Sequence, residues 1–252
     1  REGGSAVDAA IAIQAVLGLV EPQSSGLGGG AFLMHYDAAT GDVVAYDGRE
    51  VAPRGATPTM FLGDGGTPLP FFDAVQSGRS IGVPGAVAML SLAHRDQGRL
   101  PWARSLEPAI ELAERGFAVS PRLSAMIGAM RGRLAPEAAR YLTSDGRTPL
   151  APGTLLRNPE YASTLRRIAR DGVRGFYEGP VAQAIVAAAA REPRPGSLRL
   201  EDLRDYRAQR LEPVCRAYRV YLVCGMRPPS SGGIAVLSVL GSFMNCRPSR
   251  GC

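Results

Sequence analysis

The chain has 252 residues, of which 45% are hydrophobic and 21% charged, so it can bury a sizeable core as one large or two small domains. Its net charge is +6, and all 29 basic side chains are arginines. Because most of these arginines are scattered among acidic residues between Arg95 and Arg219, without aromatic partners, the charge argues against a nucleic-acid partner. The longest apolar runs, 9–20 and 181–190, fall short of the roughly 18 to 20 residues of a membrane span.

The first predicted element is an apolar helix over Ser5–Leu19. Alanine, valine, isoleucine and leucine fill almost every position, and Asp8 falls in the first turn, where the helix dipole favours an anion. Because polar residues are so rare in this helix, we expect it to be buried. Pro22 ends the helix, and a loop with four glycines among residues 26–30 follows.

A β-hairpin is predicted directly after this loop. Its strands are Ala31–Tyr36 and Asp42–Tyr46, both rich in β-branched and aromatic residues, and the turn-forming residues 37–41 separate them. The tetrapeptide Asp-Gly-Arg-Glu, residues 47–50, leaves the second strand. Several prolines then predict an irregular connection up to about residue 70.

The centre of the chain has a helical pattern, and its end returns to a strand followed by a helix. Apolar residues recur at helical spacing in five segments: Ala86–Arg95, Leu106–Arg115, Pro121–Arg133, Pro159–Asp171 and Val181–Arg191. Pro213–Cys224 alternates as a strand does, and Ser231–Phe243 is helical again. This order predicts an α+β fold in layers. With so few strands, the sheet would have unpaired edges unless another segment completes it.

The cysteine and histidine content argues against a metal centre, and we predict neither a metal nor a cofactor. The cysteine spacings of 9, 22 and 6 match no paired zinc or redox motif, and only two histidines are available. Cys215 and Cys224 can form a disulfide in an oxidising compartment or remain two buried thiols, and the sequence leaves both open. The residues concerned are Cys215, Cys224, Cys246, Cys252, His35 and His94.

The glycine loop admits a binding and a structural interpretation. Gly26, Gly28 and Ala31 match a loose GxGxxA pattern, but a dinucleotide loop follows a strand and opens a helix, whereas this loop does the reverse. Alternatively, the glycines let the chain pass close to another backbone segment. Neither Ser24 nor Ser25 lies in a GxSxG elbow, so we do not assign either as a nucleophile.

The segment from Gly3 to Pro53 closely resembles the N-terminal part of the γ-glutamyltranspeptidase family. The resemblance lies in GGSAVDAAIA and in VEPQSSGLGGGAFLMHYDAATGDVVAYDGREVAP. It continues in order through SIGVPGAVAML at 80–90, RGFAVSP at 115–121, GFYEGPVAQAI at 175–185 and PPSSGGIAV at 228–236. Together these motifs span about nine-tenths of the chain, which makes the resemblance far more specific than a single glycine loop.

The resemblance implies an N-terminal-nucleophile hydrolase with a four-layer αββα sandwich, made by a precursor that cuts itself into a large and a small subunit. In such enzymes the new N-terminal threonine attacks the γ-carbonyl of a γ-glutamyl compound such as glutathione, with its own α-amino group as base. The γ-glutamyl group then passes to water or to an amino-acid acceptor. The resemblance also implies a periplasmic or extracellular location.

Arg49 is the candidate site residue. The resemblance implies that it binds the α-carboxylate of the glutamyl group, and a guanidinium suits this task because it offers a rigid bidentate fork. From the residues alone, Arg49 could equally form a surface ion pair with Asp47 or Glu50, which would contribute little to stability.

The sequence departs from the family in lacking a Thr-Thr pair, so we expect the nucleophile beyond Cys252. The tail 242–252 also abandons the expected helical continuation, and the beginning is short. We therefore interpret residues 1–252 as a single incomplete domain of the large subunit, inactive and unstable by itself. The alternatives are an acylase of the same fold acting on glutaryl (cephalosporin-type) amides and a non-catalytic remnant that binds carboxylates.

Overall fold

The computed structural model describes residues 2–245 and has the α+β composition that the sequence predicts. The helices are α1 Ala6–Val20, α2 Phe71–Val75, α3 Ala86–Gln97, α4 Trp102–Arg115, α5 Pro121–Ala129, α6 Pro136–Leu142, α7 Pro159–Asp171, α8 Arg174–Tyr177, α9 Gly179–Ala189, α10 Leu200–Asp205 and α11 Ser231–Asn245. The strands are β1 Ala31–Tyr36, β2 Val43–Gly48, β3 Phe117–Ala118, β4 Leu155–Leu156, β5 Gln209–Leu211, β6 Val214–Tyr218 and β7 Tyr221–Gly225. Cys246, Cys252 and most of the tail predicted to be atypical lie outside the described residues.

Helix α1 begins with a reciprocal cap. The Ser5 hydroxyl accepts the Asp8 N–H at 3.2 Å, and the Asp8 carboxylate accepts the Ser5 N–H at 2.7 Å, which satisfies two backbone donors that the first turn would otherwise leave unpaired. The same carboxylate oxygen accepts the N–H groups of Arg99 and Leu100 at 3.0 and 3.2 Å. Asp8 therefore also ties α1 to the connection between α3 and α4.

Only one face of α1 is buried, so the expectation of a wholly buried helix is wrong. Val7, Ile11, Ala15 and Leu19 recur at helical spacing and are almost completely buried. Ile13, on another face, is 57% exposed. The physical reason is that α1 packs against two helices, α3 and α4, which cover it from one side.

The predicted hairpin is present and forms the core of a three-stranded antiparallel sheet. Strand β1 pairs with β2 in a register that sets Ala31 opposite Gly48, and β5 adds to the other edge of β2, giving the order β1-β2-β5. Tyr46 of the central strand is fully buried, and its hydroxyl donates to Asp96 at 3.0 Å. The polar residues of β5 gave no strand signal in the sequence.

The helical layer predicted for the middle of the chain is also present. All five predicted helices form, and their ends differ from the prediction by only a few residues. Helix α3 packs on β1 and β2, while α4 lies between α1 and α7. The Trp102 indole N–H donates to the Ile168 carbonyl at 2.9 Å, which joins the start of α4 to α7. Within residues 2–245, no helix combines the length and the apolarity needed to cross a membrane.

The single strand predicted over Pro213–Cys224 is wrong, because this segment folds as a second hairpin. Strands β6 and β7 pair antiparallel, and the chain reverses at Arg219, which has a φ of 54°. Cys215 and Cys224 lie opposite each other and form a disulfide. Of the two alternatives for these cysteines, the structure has the disulfide, and Cys215 is exposed rather than buried.

Gly233, the second glycine of the PPSSGG segment, packs closely against the end of β7 at the start of α11. A Cβ on Gly233 would lie 2.3 Å from the Met226 carbonyl oxygen, and a Cβ on Gly225 would lie 2.7 Å from the Gly233 Cα. Side chains at these positions would separate α11 from the end of β7. Glycine is therefore needed here for close backbone packing.

Candidate functional site

Arg49 lies immediately after β2, at the point where this strand meets the start of α3. A Cβ on Gly48 would be 2.4 Å from the Met89 Cβ and 2.8 Å from the Gly85 carbonyl oxygen, so only glycine allows the strand end to approach the helix so closely. The close approach holds the main chain entering Arg49 against the core. The side chain of Arg49 itself points into solvent, with 49% of its surface exposed.

The glycine loop supports this strand end from the other side. The Gly29 carbonyl accepts the N–H groups of Gly85 and Ala86, both at 3.0 Å, at the first turn of α3. A Cβ on Gly30 would lie 2.6 Å from the Glu50 nitrogen and 3.1 Å from the Arg49 Cα. The loop is therefore a scaffold that passes directly beside Arg49, as the structural interpretation of its glycines anticipated.

The guanidinium of Arg49 is oriented by contacts with Glu50 and Phe32. Its Nε lies 3.0 Å from Glu50 Oε1, and its Cζ lies 5.9 Å from the centroid of the Phe32 ring on β1. The Arg49 backbone N–H donates to the Asp47 carboxylate at 2.7 Å. Among residues 2–245, the ion-pair partner of the Arg49 side chain is Glu50, which contacts Nε. The two terminal nitrogens can therefore still bind a carboxylate in bidentate fashion.

Two tyrosines that the sequence interpretation missed support the Arg49 main chain. The Tyr206 hydroxyl donates to the Arg49 carbonyl at 2.8 Å, and its ring stacks on Tyr177 with centroids 6.0 Å apart. Tyr177 in turn donates to the Pro84 carbonyl at 2.8 Å and accepts the Ala88 N–H at 3.3 Å. Burial raises the pKa of Tyr206 to about 12, aided by the negative charges of Asp47 and Glu50.

The residues just after Arg49 are held by the segment that precedes α3 and by α10. Val51 and Val83 form an antiparallel bridge, with the Val83 N–H donating to the Val51 carbonyl at 2.8 Å. The Arg54 N–H donates to Asp202 at 3.2 Å, and the Arg54 guanidinium binds Asp205 at 2.9 Å. Arg49 therefore lies on a segment anchored on both sides.

The described residues place at this site a cation that can pair with a carboxylate, but no nucleophile with a base. The Ser25 hydroxyl accepts the Gln14 amide at 2.9 Å and has no histidine beside it. His94 lies near the buried Asp8, with Nε2 3.6 Å from Oδ1, and contacts the Leu100 carbonyl at 2.8 Å. Within residues 2–245, no group of three or more histidine, cysteine, aspartate or glutamate side chains is arranged to hold a metal ion.

The sequence as a whole matches one known family. The family model described as gamma-glutamyltranspeptidase matches residues 1–249. The chain belongs to the γ-glutamyltranspeptidase family.

Named relatives agree with this assignment. The chain is 37% identical over 240 residues to "Glutathione hydrolase proenzyme" of Bacillus subtilis, covering 95% of this chain and 40% of the relative. It is 40% identical over 243 residues to "Glutathione hydrolase 2" of Arabidopsis thaliana, again covering 95% of this chain and 40% of the relative. The chain thus spans about 40% of the length of these relatives.

Solved structures confirm the fold class. The Helicobacter pylori γ-glutamyltranspeptidase matches with a TM-score of 0.91 and 34% identity, over 99% of this chain and 71% of that one. A cephalosporin acylase from Bacillus halodurans matches with a TM-score of 0.79 and 29% identity, over 97% of this chain and 46% of that one. The fold is that of the N-terminal-nucleophile hydrolases, and the described residues contribute to it the sheet β1-β2-β5 and the helices packed on it.

Proposed function

We propose that the gene product carrying this chain is a γ-glutamyl hydrolase and transferase, in which Arg49 binds the α-carboxylate of the donor. The observation that carries the proposal is the half-exposed guanidinium of Arg49, which Glu50 contacts at Nε. An arginine oriented in advance binds a carboxylate with less loss of conformational entropy than a freely rotating one. Glutathione and other γ-glutamyl compounds carry such a carboxylate, next to an amine, on the group to be transferred.

In this proposal the chain supplies recognition, and a threonine outside residues 1–252 supplies the reaction. The threonine hydroxyl attacks the γ-carbonyl carbon while the α-amino group of the same residue takes the hydroxyl proton. The leaving amine departs with that proton, which leaves a γ-glutamyl ester on the threonine. Water or the amine of an amino-acid acceptor then attacks the ester and regenerates the hydroxyl. Arg49 contributes by holding the donor at a constant distance from the nucleophile.

The experiment compares three anilide donors on the complete gene product. The γ-glutamyl donor carries both the carboxylate and the amine, the glutaryl donor lacks the amine, and the 4-aminobutyryl donor lacks the carboxylate. Arg49→Ala should raise KM about 100-fold for the first donor because a bidentate charge-assisted contact is lost. Arg49→Lys should give about a tenfold rise, since an ammonium keeps the charge without the fork.

The 4-aminobutyryl donor and a second arginine serve as controls. KM for this donor should change less than about threefold in Arg49→Ala, because the donor has no carboxylate to lose. Arg191→Ala removes an exposed arginine that pairs with Glu137, outside the segments that hold Arg49, and it should leave all three KM values unchanged. An unchanged KM for the γ-glutamyl donor in Arg49→Ala would contradict the proposal.

The acylase match gives a second candidate, in which the donor is a glutaryl amide. Glutaryl and γ-glutamyl groups both end in a carboxylate that Arg49 could bind, so Arg49 does not discriminate between them. The ratio of kcat/KM for the γ-glutamyl and glutaryl anilides distinguishes the two candidate functions. We expect the γ-glutamyl donor to be preferred, and a preference for the glutaryl donor would favour the acylase. Turnover of neither donor would favour a carboxylate-binding remnant.

We further propose that the small subunit arises by cleavage of the same precursor and that the protein works in the periplasm or outside the cell. The Cys215–Cys224 disulfide supports this location, because structural disulfides persist mainly in oxidising compartments. Mass spectrometry of the purified complete gene product should reveal two chains, the shorter one beginning with threonine. A single uncleaved chain would contradict the processing step.

A further inference from the structure

Tyr206 joins three parts of the molecule at the candidate site. A Cβ on Gly85 would lie only 2.2 Å from the Tyr206 hydroxyl oxygen, too close for both atoms to fit. The hydroxyl donates to the Arg49 carbonyl at 2.8 Å. The absence of a side chain at the start of α3 therefore makes room for this hydroxyl. Tyr206 directly follows α10, 157 positions from Arg49 in the chain, so the contact depends on the tertiary fold.

The ring of Tyr206 is itself held in place. It stacks on Tyr177 with an interplanar angle of 3°, and the Tyr177 hydroxyl contacts Pro84 and Ala88 on either side of Gly85. Through these hydrogen bonds, the two tyrosines connect the first turn of α3 to Arg49, the residue that follows β2. A shift of the Tyr206 hydroxyl would be transmitted to the Arg49 main chain.

We propose that Tyr206 is a positioning residue for the donor carboxylate, acting through its hydrogen bond to the Arg49 carbonyl. The inference rests on the proposed function of Arg49. Because Tyr206 anchors its main chain, Arg49 extends its side chain from a fixed position. The ion pair with Glu50 sets the direction of the side chain. Without the hydroxyl, Arg49 can shift relative to α3, and its two terminal nitrogens no longer align with the two carboxylate oxygens.

The protonation state of Tyr206 suits this role. Only the neutral phenol can donate to a carbonyl. Because burial and the nearby carboxylates of Asp47 and Glu50 raise its pKa to about 12, the hydroxyl keeps its proton throughout the pH range in which an enzyme of this kind would be assayed. The hydrogen bond is therefore available at every pH of such an assay.

The test is a double-mutant cycle on the complete gene product with the same three anilide donors. Tyr206→Phe removes one hydroxyl and keeps the stacked ring. It should raise KM about three- to tenfold for the γ-glutamyl and glutaryl donors, with kcat within about twofold, because one neutral hydrogen bond that orients the arginine is lost. KM for the 4-aminobutyryl donor should not change. In the Arg49→Ala background, Tyr206→Phe should have no further effect.

Tyr161→Phe is the matched control. The Tyr161 hydroxyl also donates to a backbone carbonyl, that of Ala15, at the same distance of 2.8 Å, but it joins α7 to α1. This variant should leave every KM unchanged even where it lowers the melting temperature. A purely structural role of Tyr206 would make the two phenylalanine variants behave alike.

The outcomes separate this inference from the proposal beneath it. An unchanged γ-glutamyl KM in Tyr206→Phe, an equal rise for the 4-aminobutyryl donor, or an additive effect in the Arg49→Ala background would each overturn the role of Tyr206 while leaving that of Arg49 intact. An unchanged γ-glutamyl KM in Arg49→Ala would overturn both. Selective and non-additive loss would support the inference.

Discussion

The two hairpins of this chain have the same local architecture but very different surroundings. Hairpin β1–β2 contains the fully buried Tyr46, is extended by β5, and is packed on one side by α3. Hairpin β6–β7 forms a sheet of its own that packs on α11 and is closed by a disulfide, and Val220 at its turn is 87% exposed.

This difference in packing explains which hairpin can present a side chain with accuracy. At the end of β2, glycines at 30, 48 and 85 let three backbone segments approach within contact distance, so a shift of Arg49 would require a shift of its neighbours. At β6–β7 the strands are more exposed, so fewer neighbours fix the position of the hairpin. Rigid, well-packed elements hold a binding group far more accurately than exposed ones do.

The largest effect is expected from filling the space beside Arg49. In Gly30→Ala, the new Cβ would lie 2.6 Å from the Glu50 nitrogen, which is backbone and cannot rotate away. We expect a loss of about 3 kcal/mol in the free energy of unfolding, together with a raised KM for γ-glutamyl donors. Chemical denaturation and steady-state kinetics measure the two effects.

Gly28→Ala is the control for this substitution, because a Cβ there has no neighbouring heavy atom within 4 Å. It should change the free energy of unfolding by less than about 0.5 kcal/mol. Equal behaviour of the two variants would contradict the close packing at the end of β2.

A smaller loss is expected from Asp8, the residue that ties α1 to the α3–α4 connection. Burial alone would raise the pKa of Asp8, but hydrogen bonds from the N–H groups of Ser5, Arg99 and Leu100 outweigh it and hold the pKa below its ordinary value. Asp8→Asn should therefore lower the free energy of unfolding by about 1 to 3 kcal/mol at pH 7.

The pH dependence of this effect follows from the direction of the shift. Because the pKa of Asp8 is lower in the folded state, its contribution is fully present above the unfolded value of about 3.9 and is lost as the pH falls from there through the lower folded-state pKa. The difference between thermal melts of the two proteins should therefore narrow towards the acid end of the range from pH 7 to pH 3. A constant difference across this range would contradict the assigned role of the carboxylate, and Asp64→Asn, at an exposed position, is the control.

The smallest effect on the whole molecule is expected from the disulfide of the second hairpin. Replacing both Cys215 and Cys224 by serine should lower the global free energy of unfolding by less than about 1 kcal/mol, because β6–β7 opens locally before the core does. Limited proteolysis should nevertheless cut residues 214–225 faster than in the parent protein. A large fall in global stability would show that the two hairpins are more tightly coupled than their packing indicates.

The sequence predicted the first hairpin well because each of its signals is local. Runs of β-branched and aromatic residues define β1 and β2, and the apolar run with Asp8 in its first turn defines α1. The position of Arg49 after a strand followed from the same pattern. The α+β class followed from the order of these elements, and the family model over residues 1–249 agrees with the resemblance read from the motifs.

What the sequence did not predict depends on contacts between distant residues or on weak local signals. Helix α10 has six residues, too few to display a helical period, so the tyrosine that follows it gave no hint of its contact with Arg49. The reversal at Arg219 uses a left-handed conformation without a glycine, and the alternation of apolar residues continues across it. A single strand was therefore the simpler interpretation, although it was wrong.

The most direct test of the central claim is a crystal structure of the complete gene product with L-glutamate, the hydrolysis product, bound. Our account predicts that the two terminal nitrogens of Arg49 lie about 2.7 to 2.9 Å from the α-carboxylate oxygens. It also predicts that Nε remains on Glu50 and that the Tyr206 hydroxyl remains on the Arg49 carbonyl. A bound glutamate whose α-carboxylate is held by other groups, with Arg49 turned away, would contradict it.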